Sequence, residues 1–330
     1  MSKVVRDGLT MAAWPATLAG AVGIGLHFSE SGAWWLILAA SGAPYLMCGA
    51  LLGAVAFLSC RRWAGAALAV VISMAAVWTQ LPLYIGDDGG GDGPTVRVMQ
   101  ANLLFDGADP QAVVDEVRTR RIEVLTVDEL TPAAVGGLER AGLDRLLPYR
   151  HISPARTATG TGIWSSHPLS DTAEYDGFVL NQLSATVTIA GFGPLTVYAF
   201  HPVPPVYGAG VWADELSRLR AILDRSPANR PVIAGGDFNA TSDHSQFRAL
   251  ASGRFGDAAE QAGAGHLVTY PTDQPWPPMI GVDHILVAEA HATDVATVSI
   301  PGSDHRALVA RIRVNEPRRQ QQAQVRPPVR

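Results

Sequence analysis

From Thr10 to Leu83 the chain carries only three charged side chains, Glu30, Arg61 and Arg62, in a background of Ala, Leu, Val, Gly and Trp. The charged fraction of the whole chain, 17%, falls below the roughly 25% of ordinary soluble domains because of this stretch. Three apolar segments divide it: Thr10–Phe28, Ala33–Leu58 and Ala64–Tyr84. Each meets or approaches the about 20 apolar residues that a helix needs to cross a bilayer's hydrocarbon core. The short connections Ser29–Gly32 and Ser59–Trp63 hold all three charges. The pattern predicts a three-helix transmembrane anchor over residues 1–85. One rival is a cleavable signal peptide, since Lys3 and Arg6 precede the first segment, although cleavage would still leave two spans. Another is a buried soluble helical domain, which would extract without detergent.

Orientation follows from the cations, because Lys and Arg flanking a span stay on the cytoplasmic side. Lys3 and Arg6 mark one end, and Arg61 and Arg62 the loop after the second segment. Both groups then lie inside, and everything after Tyr84 emerges on the outer face. The expected location is the cell membrane, multi-pass, with the remaining domain extracytoplasmic. Cys48 and Cys60, the two cysteines, both fall in the apolar stretch, so neither reads as half of a structural disulfide or a zinc site.

At 330 residues the chain has room for one large domain beyond the anchor. Residues 86–94, rich in Gly and Asp, read as a flexible linker, and residues 315–330, rich in Gln, Pro and Arg, as a disordered tail. Between them, Thr95–Met99 alternates as a strand does. Asp109 is placed to cap a helix that opens with Pro110 and runs to Arg120. Strand signals recur at Ile122–Val127, Gly162–Ser165, Ser184–Ile189, Leu195–Phe200, Val232–Gly235, His284–Val287 and Leu308–Arg313, with helical patterns at Gly210–Arg225 and Ser245–Ser252. The turn Gly191–Pro194 implies an antiparallel hairpin. The class is α+β, a sandwich rather than a strict alternation of parallel strands.

Polar residues suited to phosphate chemistry stand at the ends of these strands. Asn102 follows the first, Glu129 the second and His201 the strand Val197–Phe200; Asp237 and Asn239 follow Val232–Gly236. Asp283 opens a strand, while Asp304 and His305 precede the last. Each alone has a plain reading: Gly236–Asn239 and Ser303–His305 as turns, Glu129 as a solvated acid, His201 and Asn102 as loop residues.

Taken in order, Asn, Glu, His, Gly-Asp-Phe-Asn, Asp-x-Ile and Ser-Asp-His resemble the endonuclease/exonuclease/phosphatase superfamily over Thr95–Val314. The resemblance implies a two-sheet α/β/β/α sandwich and a metal-dependent hydrolase acting on phosphoester bonds. A phosphate ester repels an attacking hydroxide, so such a site must supply a cation, oriented donors and a base. Glu129 is the best candidate ligand, with Asp304 or Asn102 completing an oxygen-rich shell suited to Mg2+ or Mn2+. By resemblance, Asp237 orients or deprotonates water, Asn239 and His201 bind phosphoryl oxygens, and Asp283 fixes the tautomer of His305. Two departures from the family pattern are Asp128 where Gln is common and Phe200 where Thr is common. Asp128 either adds metal affinity or faces solvent, and His284 reads as a rim or core residue.

A protein that grips duplex DNA normally clusters Lys and Arg against its phosphates. Residues 95–314 contain 17 Arg, no Lys and 24 Asp plus Glu, a formal charge of 17 − 24 = −7. Nucleic acid is therefore the weaker candidate, although Arg118, Arg120 and Arg121 cluster locally. A domain tethered to an outer leaflet meets lipid head groups at high effective concentration. Membrane lipids and a phosphorylated, lipid-linked substrate are the expected partners; no protein partner is inferable. The architecture is similar to membrane-anchored bacterial members of the superfamily linked to glycopeptide resistance, which implies polyprenyl-phosphate chemistry in the cell envelope. The stiff loops Pro202–Gly208 and Tyr270–Pro278 read as contacts for an acyl chain or as ordinary rigid loops. An extracytoplasmic nuclease and a non-catalytic membrane binding module are the alternatives.

Overall fold

The computed structural model of the protein describes residues 1–87, 89 and 93–315. Its N-terminal apolar stretch forms helices α1 (Lys3–His27), α2 (Trp34–Ala40), α3 (Ala43–Ser59) and α4 (Trp63–Gln80). Ser2 caps α1 by accepting from the Val5 amide. Small residues let the backbones approach, as in membrane helix pairs. Gly49 and Gly53, one turn apart on α3, lie so close to α1 that a Cβ on either would collide, with the Ala16 carbonyl or with Thr17 Oγ1. Cys48 and Cys60 are free thiols.

Two helices, α1 and α4 with its 3-10 extension to Leu83, are each long and apolar enough to cross a membrane. The segment expected as one span over Ala33–Leu58 is instead broken: α2 and α3 meet at a bend of 63°. The backbone turns at Ser41–Gly42, where no side chain enforces helical continuation. Asp87 N–H donates to the Gln261 carbonyl at 3.0 Å and Gly93 N–H to that of Val314 at 3.1 Å, so both ends are pinned to the following domain. Residues 88, 90–92 and 316–330, which include most of the expected linker core and nearly all of the expected tail, lie outside the described residues.

The remainder is two mixed sheets face to face. One has the order β11 (Ala290–Ser299), β12 (Arg306–Val314), β1 (Thr95–Asn102), β2 (Val124–Asp128), β4 (Thr161–Ser165), β3 (Tyr149–Ser153). The other runs β5 (Leu169–Glu174), β6 (Leu183–Ile189), β7 (Gly193–Phe200), β8 (Val232–Asp237), β10 (Asp283–Ala288), β9 (Gly256–Asp257). Inward side chains such as Val98, Val124, Val197, Ile233 and Ile285 make the central core. The outer face of the first sheet packs on α5 (Pro110–Arg120), α6 (Pro132–Ala141) and α7 (Leu143–Leu146) through Leu125, Val113 and Leu138. The outer face of the second packs on α8 (Ala209–Asp224) and α9 (Ser245–Leu250) through Phe200, Trp212 and Phe247; α10 (Ala258–Gln261) follows β9. This is the expected α/β/β/α sandwich.

Most pairings are antiparallel, including the β6–β7 hairpin around Gly191. The exceptions are the parallel pairs β1–β2 and β7–β8. Those four strands end at one rim, and the antiparallel neighbours β10 and β12 begin there. Asn102 lies opposite Asp128, and Asp283 opposite Asp237. Asp109 caps α5 as expected, accepting from Gln111 N–H at 2.9 Å. Arg118 and Arg120 pair with Asp115 and Glu116 on the same helix, so these two cations are already partnered within α5.

Candidate active site

The rim surrounds a cleft of about 490 Å³ lined by Glu129, His201, Asp237, Asn239, Asp304 and His305, with Tyr270 as one wall. Asn102 and Asp283 are buried just behind it. The eight sequence-selected residues thus converge, from six strand ends and more than 200 positions of sequence.

Asp237 is the hub. Its backbone N–H donates to Asp128 Oδ2 at 2.8 Å, and its Oδ1 accepts the Asn239 N–H at 2.9 Å. Its Oδ2 accepts from Asn102 Nδ2 at 3.2 Å and stands 3.8 Å from His201 Nε2 and 3.7 Å from His305 Nε2. Burial raises the Asp237 carboxyl, the charge on His305 opposing it and Asp283 adding to it. His305 Nδ1 is 2.8 Å from Asp283 Oδ2. Burial works against its charged form, but Asp283, Asp237 and Asp304 outweigh that and raise it. His201 moves the other way, to about 3, through burial and the neighbouring His305 charge. The two imidazoles that flank the Asp237 carboxyl are thus pushed in opposite directions.

Glu129 and Asp304 are both raised by burial. Glu129 Oε1 accepts from Asn102 Nδ2 at 3.3 Å, whereas Glu129 Oε2 and Asp304 Oδ1 are buried without a hydrogen-bond partner. Buried acceptors without donors cost free energy, and two such oxygens facing one cleft suit a hard cation with oxygen ligands. Asn102 has its Oδ1 engaged by the Leu104 N–H at 2.9 Å and its amide nitrogen between Glu129 and Asp237. Its amide nitrogen bridges the two acids, and the second lone pair of its Oδ1 leaves its expected part in the metal shell available. Asp237, Asp283 and His305 also bring one ligand-type atom each within 4.8 Å of one another. Because Asp283 already binds His305 Nδ1, that trio fits a proton-handling cluster better than a metal shell.

Backbone geometry points the same way. Glu129 and Asn239 both adopt left-handed conformations, with φ of 55° and 50°. Asn tolerates this region, but Glu does so rarely, and such outliers persist where surrounding contacts over-determine them. Asn239 is held from two sides: its Nδ2 donates to the Pro202 carbonyl at 3.0 Å and its carbonyl accepts Trp212 Nε1–H at 3.1 Å.

Sequence reasoning missed the braces. Asp128 neither faces solvent nor lines the cleft: it is fully buried, receives Gln100 Nε2–H at 2.7 Å, and passes that support to the Asp237 backbone. Burial lifts its carboxyl well above the usual range. The Gln182 side-chain amide holds the His201 backbone, donating to its carbonyl at 2.7 Å and accepting its N–H at 2.8 Å. Ser303 Oγ donates to the Asn102 carbonyl at 2.8 Å and accepts the His305 N–H at 3.0 Å, tying two strand ends. The Tyr270 ring lies 4.8 Å from that of His305. A Gln inside or directly before an apolar strand is the one signal that would have pointed to Gln100, in β1, and Gln182, just ahead of β6. His284 is a core residue, 2.6 Å from Asp257 and 2.9 Å from the Ala240 carbonyl.

Solved structures share this architecture. D. rerio TDP2 complexed with single strand DNA product is 17% identical, covering 66% of this chain and 98% of that one, at a TM-score of 0.57. An endonuclease/exonuclease/phosphatase from Bacteroides vulgatus is 14% identical, covering 67% and 100%, at 0.55. A functionally unknown conserved protein from Enterococcus faecalis V583 is 17% identical, covering 66% and 99%, at 0.55. At these identities the likeness is one of fold. No curated protein matches the chain. The profile of the Endonuclease/Exonuclease/phosphatase family matches residues 99–305, from the first strand through the final Ser-Asp-His. With the sandwich, the rim and the motif order in agreement, the chain belongs to that family, whose members are typically metal-dependent phosphodiesterases and nucleases.

Proposed function

We propose that the protein is a membrane-anchored, divalent-metal-dependent phosphoesterase that hydrolyses a lipid-linked phosphate ester or pyrophosphate at the outer membrane face. The observation that carries the catalytic part is the single cleft in which Glu129 and Asp304 present unpaired oxygens beside the Asp237–His305–Asp283 cluster. Mg2+ or Mn2+ held by Glu129 and Asp304 would polarise a phosphoryl oxygen and offset its charge. Asn102 orients Glu129 for that role. Asp237, ionised, accepts the proton of the attacking water through Oδ2, its raised pKa making it a stronger base than an ordinary carboxylate. His305, kept charged by Asp283, donates a hydrogen bond from Nε2–H to a phosphoryl oxygen in the transition state, and the leaving oxygen departs with the electron pair of the broken P–O bond and takes its proton from solvent. His201 stays neutral and, with Asn239, binds the remaining oxygens.

The lipid-linked substrate is supported by the apolar helices at the front of the chain and by the mouth of the cleft. Val206 and Tyr207 line it and are 73% and 63% exposed. Among the described residues no Lys or Arg lines the cleft, which disfavours a long polyanion. The outer-face location rests on the distribution of cations around the spans. On this reading the reaction belongs to cell-envelope chemistry, as the sequence resemblance to glycopeptide-resistance-linked members implies. The DNA-bound TDP2 structure motivates the second reading, a nuclease.

Detergent-solubilised full chain and its Asp237→Ala variant, each with Mg2+ or Mn2+, separate these readings. Release of phosphate from a micellar lipid pyrophosphate, lost in Asp237→Ala, is the expected result. Salt-sensitive cleavage of DNA or RNA without lipid turnover would favour the nuclease, and no hydrolysis at all the binding module.

A further inference from the structure

The break between α2 and α3 leaves α2 outside any straight crossing. At 17 residues and about 1.5 Å per residue, α3 alone nearly spans a thin hydrocarbon core of about 27 Å. α2 has two faces of different kind. Ile37 and Ala40 are buried, whereas Trp34, Trp35 and Leu38 are 62%, 58% and 37% exposed. Ile37 belongs to the core of the catalytic domain, alongside Phe247 and Trp212, while Ala40 packs within the anchor.

The buried face reaches toward the active site. His244 Nε2 bonds the Ile37 carbonyl at 2.9 Å, and the His244 ring lies 5.3 Å from that of Trp212, whose indole holds the Asn239 carbonyl. Neighbouring helix ends grip the same region: His27 Nδ1 is 2.7 Å from Asp243, Gln80 Nε2 donates to Asp243 at 3.0 Å, and Ser245 Oγ donates to the Ser29 carbonyl at 2.9 Å. A second bridge leads from Tyr45, which donates to the Met279 carbonyl, through Met279 N–H to the carbonyl of Tyr270 beside His305. The catalytic domain is docked on the anchor, not suspended from it.

The outward face has no protein partner among the described residues. Phe28 at the end of α1 and Trp78 at the end of α4 are also exposed, by 63% and 77%, so one end of the helix bundle carries a set of bare aromatics. Trp concentrates where a bilayer meets water, because its ring is apolar and its N–H is not. We infer that α2 is a membrane-surface helix: Trp34, Trp35 and Leu38 rest in the boundary between head groups and acyl chains, while Ile37 locks the catalytic domain onto it. The partner is the lipid surface itself. The inference rests on reading the flanking helices as spans, and it deepens the proposed function by placing the cleft beside its amphiphilic substrate.

Depth-dependent quenching tests this without using catalysis. In full-length Cys48→Ser, Cys60→Ser protein, single thiols introduced by Trp35→Cys, Leu38→Cys, Leu52→Cys or Gln111→Cys are labelled with an environment-sensitive fluorophore. The proteins are placed in phosphatidylethanolamine–phosphatidylglycerol vesicles. Labels at positions 35 and 38 are expected to be quenched most by lipids with a nitroxide near the head group and to resist aqueous iodide. The label at 52, midway along α3, should respond to a nitroxide near the chain end, and that at 111, on α5, to iodide. If positions 35 and 38 behave like 52, α2 is part of a span and the inference fails; if they behave like 111, it lies in water and the inference also fails. A protein that passes this test yet hydrolyses no phosphoester refutes the proposed function alone.

Discussion

Asp237 receives its geometry from Asp128, Asn102 and Asn239 together, and each contact leaves one oxygen directed at the two histidines. Replacing it by Asn keeps the shape and removes the proposed base. Hydrolysis is expected to fall by roughly 10²–10⁴-fold, the usual contribution of general-base catalysis, with thermal midpoint and circular dichroism unchanged. Glu129 and Asp304 make a different prediction. An ion that binds only the folded protein adds stability, about 2.7 kcal/mol at a concentration of 100 times its Kd. Mg2+ or Mn2+ should therefore raise the thermal midpoint of the parent chain but not that of a Glu129→Gln, Asp304→Asn variant, and chelation should reverse the gain. His284 offers a pH test. Both ring nitrogens face acceptors, Asp257 and the Ala240 carbonyl, which only the doubly protonated ring satisfies as a donor. Burial disfavours that charge, yet Asp257 outweighs it and the pKa is raised. The folded value lies above the unfolded one of about 6.5. The stabilisation is thus complete below about 6.5 and is lost as pH climbs through the folded value. In thermal scans the lead of the parent over His284→Gln should shrink from pH 6 to pH 9; a constant lead would show that the ring is neutral in the fold.

Elements matter through where they end. The parallel pairs β1–β2 and β7–β8 deliver Asn102, Glu129, His201 and Asp237 to one rim, and β8 must lie tight against β7 to do so. A Cβ at Gly236 would fall 1.8 Å from the Phe200 carbonyl oxygen, so no side chain fits between the strands. Gly236→Ala is expected to push the strands apart at a cost of about 1–3 kcal/mol, read as a lower thermal midpoint together with lost activity, since the displaced strand carries Asp237. Helix α5 and most strand centres were legible because their caps and apolar alternation are local. The helices α6, α7 and α10 and the strands β3, β5, β9 and β11 were not anticipated. β5 and β3 are short and partly exposed, with burial too irregular to print a period-two pattern. The α2–α3 break was hidden for the opposite reason: apolar residues on both sides of Ser41–Gly42 read as one continuous span.

For the whole molecule, the proposed three-crossing topology predicts that alkaline phosphatase fused after Val314 is active in cells while a fluorescent protein fused there is dark. The reverse pattern would place the catalytic domain inside. The anchor and the catalytic domain share hydrogen bonds and a buried Ile37, so their arrangement is one of packing, not of tether length. What could be decided along the chain was decided by local chemistry: a run without charges must leave water, alternating Val and Ile must make strands, and six motifs in order must mean one family. The acidic, amide and imidazole groups of the cleft followed from that order, whereas the hydroxyls of Thr157, Thr159, Tyr207 and Tyr270 did not. What the chain could not reveal was which side chains support others across the sheets. Asp128 acquires its role only when it meets Asp237, 109 positions away, and Gln100 and Gln182 act on partners 28 and 19 positions away that only strand pairing brings beside them, while the inferred surface position of α2 depends on a bend and a docking contact that no local pattern encodes. Hydrophobicity and propensity act through near neighbours, whereas hydrogen-bond partners and interdomain contacts are fixed by the closed sandwich.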